Sequence, residues 1–262
     1  MRANGLSSET TYTASGAVVS SVSTPSIPTT NTTVDISLDT AGLLSKIVIT
    51  TPLSTTTLDK AAGAVFGTLI GSSGDVGVAV SQDGSKFAIY PYSPTALGWE
   101  YQTFGVWETG RGTGSGTAGA VSVGSATSGA NITSSGIAMF TGVSGGAYIN
   151  ASGADYLTKS LVALTTDFSA RTIGFTTTST VKALTGSLTA GTSDPNLNMS
   201  GTLTWTSGTN AFAGTVTTTG GTLSGNANGR FYGPSATEAG GVFYLKPTSG
   251  VESYGGAFGA KR

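Results

Sequence analysis

Side-chain catalysis needs a general base, a nucleophile or a metal, and this chain of 262 residues contains neither histidine nor cysteine. The commonest general base and metal ligand is therefore absent, together with thiolate nucleophiles, thiolate metal sites and disulfides. Carboxylates remain. Glu100 and Glu108 stand eight residues apart, about 26 Å by rise if they share a strand, which is too far for paired acid/base work. Asp155 and Asp167 flank separate turns, and no glycine-rich segment carries a lysine at phosphate-loop spacing. The residue inventory points to a protein that holds something and is not an enzyme.

Side chains able to hold a ligand gather around a proline-broken segment, Tyr90-Pro91-Tyr92-Ser93-Pro94. Tyr90, Tyr92, Trp99 and Tyr101 are the leading ligand contacts, because ligand sites favour the seam between domains. Met139 is a further candidate. For each of these the alternative is ordinary core or hinge packing, which is what most aromatics beside an apolar stripe do.

Composition narrows the partners. Twelve basic and thirteen acidic residues leave a net charge of −1, with no electrostatic footprint for nucleic acid or an anionic membrane. No apolar run approaches the eighteen or so residues of a membrane helix, so a helical membrane-spanning protein is excluded. A transmembrane barrel would need girdles of Trp, Tyr and Phe at both interfaces, and these are thinly supplied.

The elements that position these residues are strands. Forty glycines and 10 % charged residues oppose long soluble helices, while 38 % hydrophobic residues allow a packed core. Period-two alternation marks short strands at 34–38, 46–50, 76–80 and 86–90. Asp83-Gly84 between the last two favours a tight hairpin turn. Residues 58–66 carry the only helical character. Residues 1 to about 35, with Pro25 and Pro28, read as an extended arm entering the first sheet, and 110–135 read as a weak strand within a candidate mobile loop.

Proline restricts its own φ and the residue before it and cannot donate to a ladder, so the domain boundary is expected at 94/95. Beyond it, Trp99, Tyr101, Thr103, Gly105 and Trp107 share the parity of one strand face, read as a barrel interior. From 136 onward strands follow at hairpin spacing. About eight of them without intervening helix suggest an antiparallel barrel, whose closure removes exposed edges. The fold class is all-β, with domains at 1–94 and 95–262.

At the end of the chain stand Gly229-Arg230-Phe231-Tyr232-Gly233-Pro234-Ser235-Ala236-Thr237-Glu238-Ala239-Gly240-Gly241-Val242-Phe243 and Gly256-Ala257-Phe258-Gly259-Ala260-Lys261-Arg262. Gly233-Pro234 reads as the end of a strand and the start of a single helical turn, released at Gly240-Gly241. Phe231, Phe243 and Phe258 are expected to plug one barrel end. Glu238, the lone carboxylate of this stretch, is expected to bond backbone amides or to pair with Arg230 or Arg262.

This ending resembles the terminal signature of the transferrin-binding-protein-B-like barrel family: Phe231 and Tyr232 before Gly233-Pro234, then Glu238, Gly240-Gly241, Phe258 and a final Gly-Ala-Lys-Arg through Lys261 and Arg262. A looser resemblance runs upstream from 136 to 217. It implies an N-terminal β-rich handle domain before a C-terminal eight-stranded antiparallel barrel. It further implies a solute-binding protein, secreted or on the outer-membrane surface of a Gram-negative bacterium. Such a protein captures haem or another scarce nutrient for an outer-membrane receptor, or binds a host or partner protein instead, and a translocator exports it. Any haem here would need Tyr, Met or Lys as axial ligand, or no protein ligand. No apolar signal core follows Met1-Arg2-Ala3-Asn4; the reading adopted is that a signal peptide and a lipidated cysteine precede residue 1, the alternative being that there is no signal peptide.

Overall fold

The computed structural model describes residues 2–15, 18–23, 25, 29–41, 43–68, 76–91, 98–110, 112–185 and 191–262. Tyr92, Pro94 and Pro28 lie outside the described residues, as does most of a strand expected at 184–189. The fold is all-β: ten strands form a first sheet that nearly closes on itself, and nine form a second sheet closed into a barrel.

The first sheet contains β1 (Arg2–Ser15), β2 (Val18–Val22), β3 (Thr29–Leu38), β4 (Leu44–Thr50), β5 (Thr55–Asp59), β6 (Val65–Thr68), β7 (Val76–Val80), β8 (Lys86–Pro91), β9 (Gln102–Thr109) and β10 (Ser115–Gly124). Its order is β5-β4-β3-β1-β10-β9-β8-β7-β6, with β2 paired to the far end of β1. The alternating segments predicted at 34–38, 46–50, 76–80 and 86–90 all lie in strands. The predicted helical stretch at 58–66 shrinks to one 3-10 turn, Lys60–Ala62, capped by Asp59. Gly63 ends it at φ +82°, and the flanking Thr and Val residues pair as strands.

Three expectations are corrected here. The N-terminal arm is a fourteen-residue strand in mid-sheet, paired with β3, β2 and β10. The weak strand read within 110–135 is β10, a central strand of the sheet and not part of a loop, while 125–136 joins it to the second sheet outside any named strand. Finally, β9 and β10 pair into the first sheet rather than the barrel, so that sheet's last strand ends at Gly124, well past the residue expected to close the first domain. Proline breaks local pairing, but it does not decide which sheet the chain rejoins.

The barrel contains β11 (Ile137–Ile149), β12 (Asp155–Asp167), β13 (Thr172–Leu184), β14 (Thr192–Ser193), β15 (Met199–Trp205), β16 (Ala211–Thr218), β17 (Ser224–Tyr232), β18 (Glu238–Lys246) and β19 (Ser253–Lys261). The order β12-β11-β19-β18-β17-β16-β15-β13 closes through β12–β13 pairing, and β14 is a short appendage on β13. The eight-stranded barrel read from strand spacing is therefore present. Its interior is filled by side chains, as eight strands allow.

Inward residues alternate with outward ones. On β13, Ile173, Phe175 and Thr177 are buried while Gly174 and Thr176 face solvent. In contrast, β18 and β19 are buried on both faces, because their outer side packs against the first sheet. A shared apolar layer joins Phe87, Ile89, Phe104, Val106 and Ala120 of the first sheet to Val143, Leu157, Val242 and Ala257 of the barrel. The opposite face of the first sheet has its own core around Val34, Ile47, Leu58, Trp107 and Val121. Trp107 therefore fills the first sheet and not the barrel interior expected for it.

Candidate functional site

The terminal motif is best understood from strand parity. On β18 and β19, Ala239, Gly241, Phe243, Phe258 and Ala260 point inward, so Glu238, Gly240, Val242, Ala257, Gly259 and Lys261 point out. All of these outward residues meet the first sheet or the segment leading into it. The Glu238 side chain, 1 % exposed, accepts the backbone N–H of Glu100 at 2.7 Å and of Tyr101 at 3.1 Å. Lys261 Nζ donates to the Gly98 carbonyl at 2.6 Å. Tyr232, on the same face of β17, lies with its hydroxyl 3.0 Å from Ser122 Oγ, and burial pushes its phenol up to about 12.

Gly240 and Gly259 complete this clasp by close approach. A Cβ on Gly240 would lie 2.3 Å from Gln102 Oε1, and one on Gly259 would lie 2.4 Å from Gln102 Nε2. The two glycines thus make room for the Gln102 side chain, whose buried amide has no protein partner among the described residues. The hairpin tip adds Gly233 N–H donating to the Ser125 carbonyl and Thr127 Oγ1 donating to the Gly233 carbonyl.

Of the two roles expected for Glu238, the structure selects the backbone amides. Arg230 and Arg262 are not its partners; Arg262 donates to the Ser235 carbonyl instead. The expected helical turn after Gly233-Pro234 is a hairpin turn, and β18 already begins at Glu238, so Gly240-Gly241 lies within a strand. Turn geometry is met by Gly233 at φ +83° and Ala236 at φ +56°. The three phenylalanines sit in the barrel core rather than in a single plug: Phe231 contacts Phe140, Phe168, Trp205 and Phe212, whereas Phe243 meets Tyr254 and Phe258 meets Phe175.

The proposed ligand contacts are dispersed. Trp99 is buried in the shared layer, 5.8 Å from Phe104 and against Gly259. Tyr101 covers Gly233. Tyr90 is half-buried in β8, its ring lying over Gly77. Met139, 62 % exposed, stands on the outer wall of β11, in register with Thr165.

Of two buried carboxylates of the first sheet, sequence reasoning passed over Glu9 and weighed Glu108 only as half of an acid/base pair. Glu9 accepts hydroxyl bonds from Thr51 and Ser54, and Glu108 accepts the Tyr12 hydroxyl. Glu9 and Tyr12 lay in a segment read as an arm; the alternation of buried and exposed residues is hidden there because Ser and Thr fill both faces. Among the described residues, no group of three or more acidic side chains is placed to hold a metal ion, and no helix is long and apolar enough to cross a membrane.

Space follows from this packing. The seam between the sheets retains a cavity of only ≈ 40 Å³, bordered by Glu9, Val106, Ala147 and Phe243. A larger, open cleft of ≈ 480 Å³ lies on the first sheet across β2, β1 and β10. Elsewhere on that sheet the turns carry exposed apolar side chains: Leu38, Leu43, Leu53 and Val65. An ion pair of 3.1 Å between Lys60 and Asp39 ties the 3-10 turn to the β3–β4 hairpin tip.

Comparison with known proteins now has a geometry to meet. Residues 130–262 match the family described as the C-lobe and N-lobe beta barrels of Tf-binding protein B. No curated protein matches the sequence. A solved structure described as a surface lipoprotein aligns with a TM-score of 0.52 at 12 % identity, covering 98 % of both chains. A Phe-171-Ala mutant of transferrin binding protein B from Actinobacillus pleuropneumoniae H49 aligns at 0.50 and 10 % identity, again over 98 % of both. The Trp-176-Ala mutant of transferrin binding protein B from Haemophilus parasuis Hp5 aligns at 0.49 and 17 % identity; 98 % of this chain is covered, but it spans only 44 % of that one. With the match extending over the closed barrel and the clasp built on it, this chain belongs to the family of Tf-binding protein B beta barrels.

Proposed function

We propose that this protein works at the bacterial cell surface, capturing a host protein that carries a scarce nutrient and passing it to an outer-membrane receptor. The observation carrying this reading is the filled seam. A cavity of ≈ 40 Å³ among the described residues is far below the several hundred Å³ of a small-molecule site, which favours a protein ligand over haem at this junction. Family membership supports a binding role, since the family takes its name from a transferrin-binding protein. Contact with a partner falls to the turns of the first sheet, where exposed Leu38 and Leu43 stand beside Asp39 of the Lys60–Asp39 ion pair. Exposed apolar groups rimmed by charge are typical of protein-binding surfaces.

The test uses immobilised protein with iron-loaded transferrin in one arm and haemin in the other. Capture of transferrin, weakened roughly tenfold or more by Leu43→Asp, is the expected result. A stoichiometric Soret shift with haemin and no protein capture would instead establish a carrier of free haem. Absence of both at micromolar protein would remove the iron-capture reading.

A further inference from the structure

The open cleft on the first sheet has a regular chemistry. Register places Thr13 opposite Ser21 on β2 and opposite Ser115 on β10. The next row inward sets Thr11 opposite Thr117, with the Ser23 N–H donating to the Thr11 carbonyl. Residues directly opposite in an antiparallel pair share a face. The hydroxyls of Ser21, Thr13 and Ser115 in one row and of Thr11 and Thr117 in the next therefore line one surface, about 4.8 Å apart across strands and about 6.8 Å along them; Ser23 Oγ turns off this face, 3.0 Å from the hydroxyl of Thr10, which has the opposite parity.

Among the described residues no charged side chain borders this cleft, whose volume is ≈ 480 Å³. Its other lining residues, Tyr12, Val22 and Gly116, have the opposite parity and contribute mainly backbone. Two of the five are already engaged: Thr13 Oγ1 lies 2.7 Å from Ser21 Oγ and 3.0 Å from Ser20 Oγ. The hydroxyls of Thr11, Ser115 and Thr117 have no protein partner among the described residues. The platform is held from behind, where buried Tyr12 donates to Glu108.

We infer that this cleft binds a neutral saccharide. A hydroxyl both donates and accepts, so a grid of them can match the mixed donors and acceptors of a pyranose ring. An anionic ligand would be desolvated here without a counter-charge, which disfavours phosphates and acidic sugars. The volume suits a mono- or disaccharide unit. This inference is independent of the host-protein reading, because its residues are not those of the apolar turns.

Amide shifts of the isotopically labelled protein are recorded during titration with N-acetyllactosamine and maltotriose, with 3′-sialyllactose as the anionic comparison. Shifts at Thr11, Thr13, Ser115 and Thr117 are expected with a neutral sugar and should be insensitive to added salt. Thr11→Val removes one hydroxyl and should weaken binding roughly tenfold; Ser115→Trp fills the cleft and should abolish it. Each variant must retain the wild-type circular dichroism. The inference is overturned if neither neutral sugar moves these amides at tens of millimolar, if Ser115→Trp binds as well as wild type, or if the anionic sugar binds better in a salt-dependent way. Repeating the titration with the same glycan attached to a protein, before and after enzymatic deglycosylation, separates a free sugar from a protein-borne one.

Discussion

Glu238 occupies a position few carboxylates tolerate, 1 % exposed and without a cationic partner, and it is stable there because two backbone donors point at it. Charge-assisted bonds of this kind are stronger than neutral ones. Removing the carboxylate leaves both buried donors without the acceptor they have here. Glu238→Ala should therefore lower unfolding stability by about 3 kcal/mol, and Glu238→Gln, which keeps one acceptor, by about half of that. Urea denaturation measures both; equal stability of all three proteins would mean that the clasp contributes nothing. Gln102 shows the reverse situation at the same seam, a polar group enclosed between two glycines with its amide unpaired.

Hairpin turns set the register of the first sheet, and the one joining β7 to β8 is held by Asp83. Its carboxylate accepts from the Ser81 hydroxyl and from both the N–H and hydroxyl of Ser85, while Gly84 takes φ +70°. These bonds hold the Asp83 carboxyl at about 2, below its ordinary 3.8, with the Ser81 bond the largest cause. A depressed folded value means that the stabilisation is present above pH 3.8 and is lost as pH falls through about 2. Asp39 and Asp59 are lowered too, by bonds to the Leu43 amide and to Lys46 respectively. The difference in urea midpoint between wild type and Asp83→Asn should shrink as pH is lowered from 3.8 to about 2. A difference that stays constant over this window would show that the turn draws no stability from the ionised group.

The two sheets share an apolar layer and a polar clasp, so neither can open without exposing Val106 and Phe104 on one side and Val242 and Ala257 on the other. Burial on that scale makes a cooperative unit. Trp99 and Trp107 report from the first-sheet side and Trp205 from the barrel core. Urea unfolding should follow one transition, with tryptophan fluorescence and far-ultraviolet circular dichroism superimposing in wild type and in Trp205→Phe. Two separated transitions would show sheets that fold independently and a clasp too weak to join them. Rigid coupling would serve the proposed capture role, in which the turns are presented without losing binding energy to internal motion.

Local chemistry decided much of this protein in advance. A chain poor in charge and rich in Thr, Val and Gly pairs as strands, and alternation placed several of them to within a residue or two because a half-buried strand repeats every second residue. The barrel was legible from hairpin spacing, and the terminal motif from its residues. Sheet membership was not legible: β1 pairs with β10, the strand at the other end of that sheet's sequence, and pairing energy depends on which edge is available in space rather than on the strand's own composition. For the same reason Glu238, Gly240, Gly259 and Lys261 read as a motif without a target. Only folding brings residues 98–102 and Ser122 against them, because the outward face of a barrel strand has no meaning until another sheet lies on it.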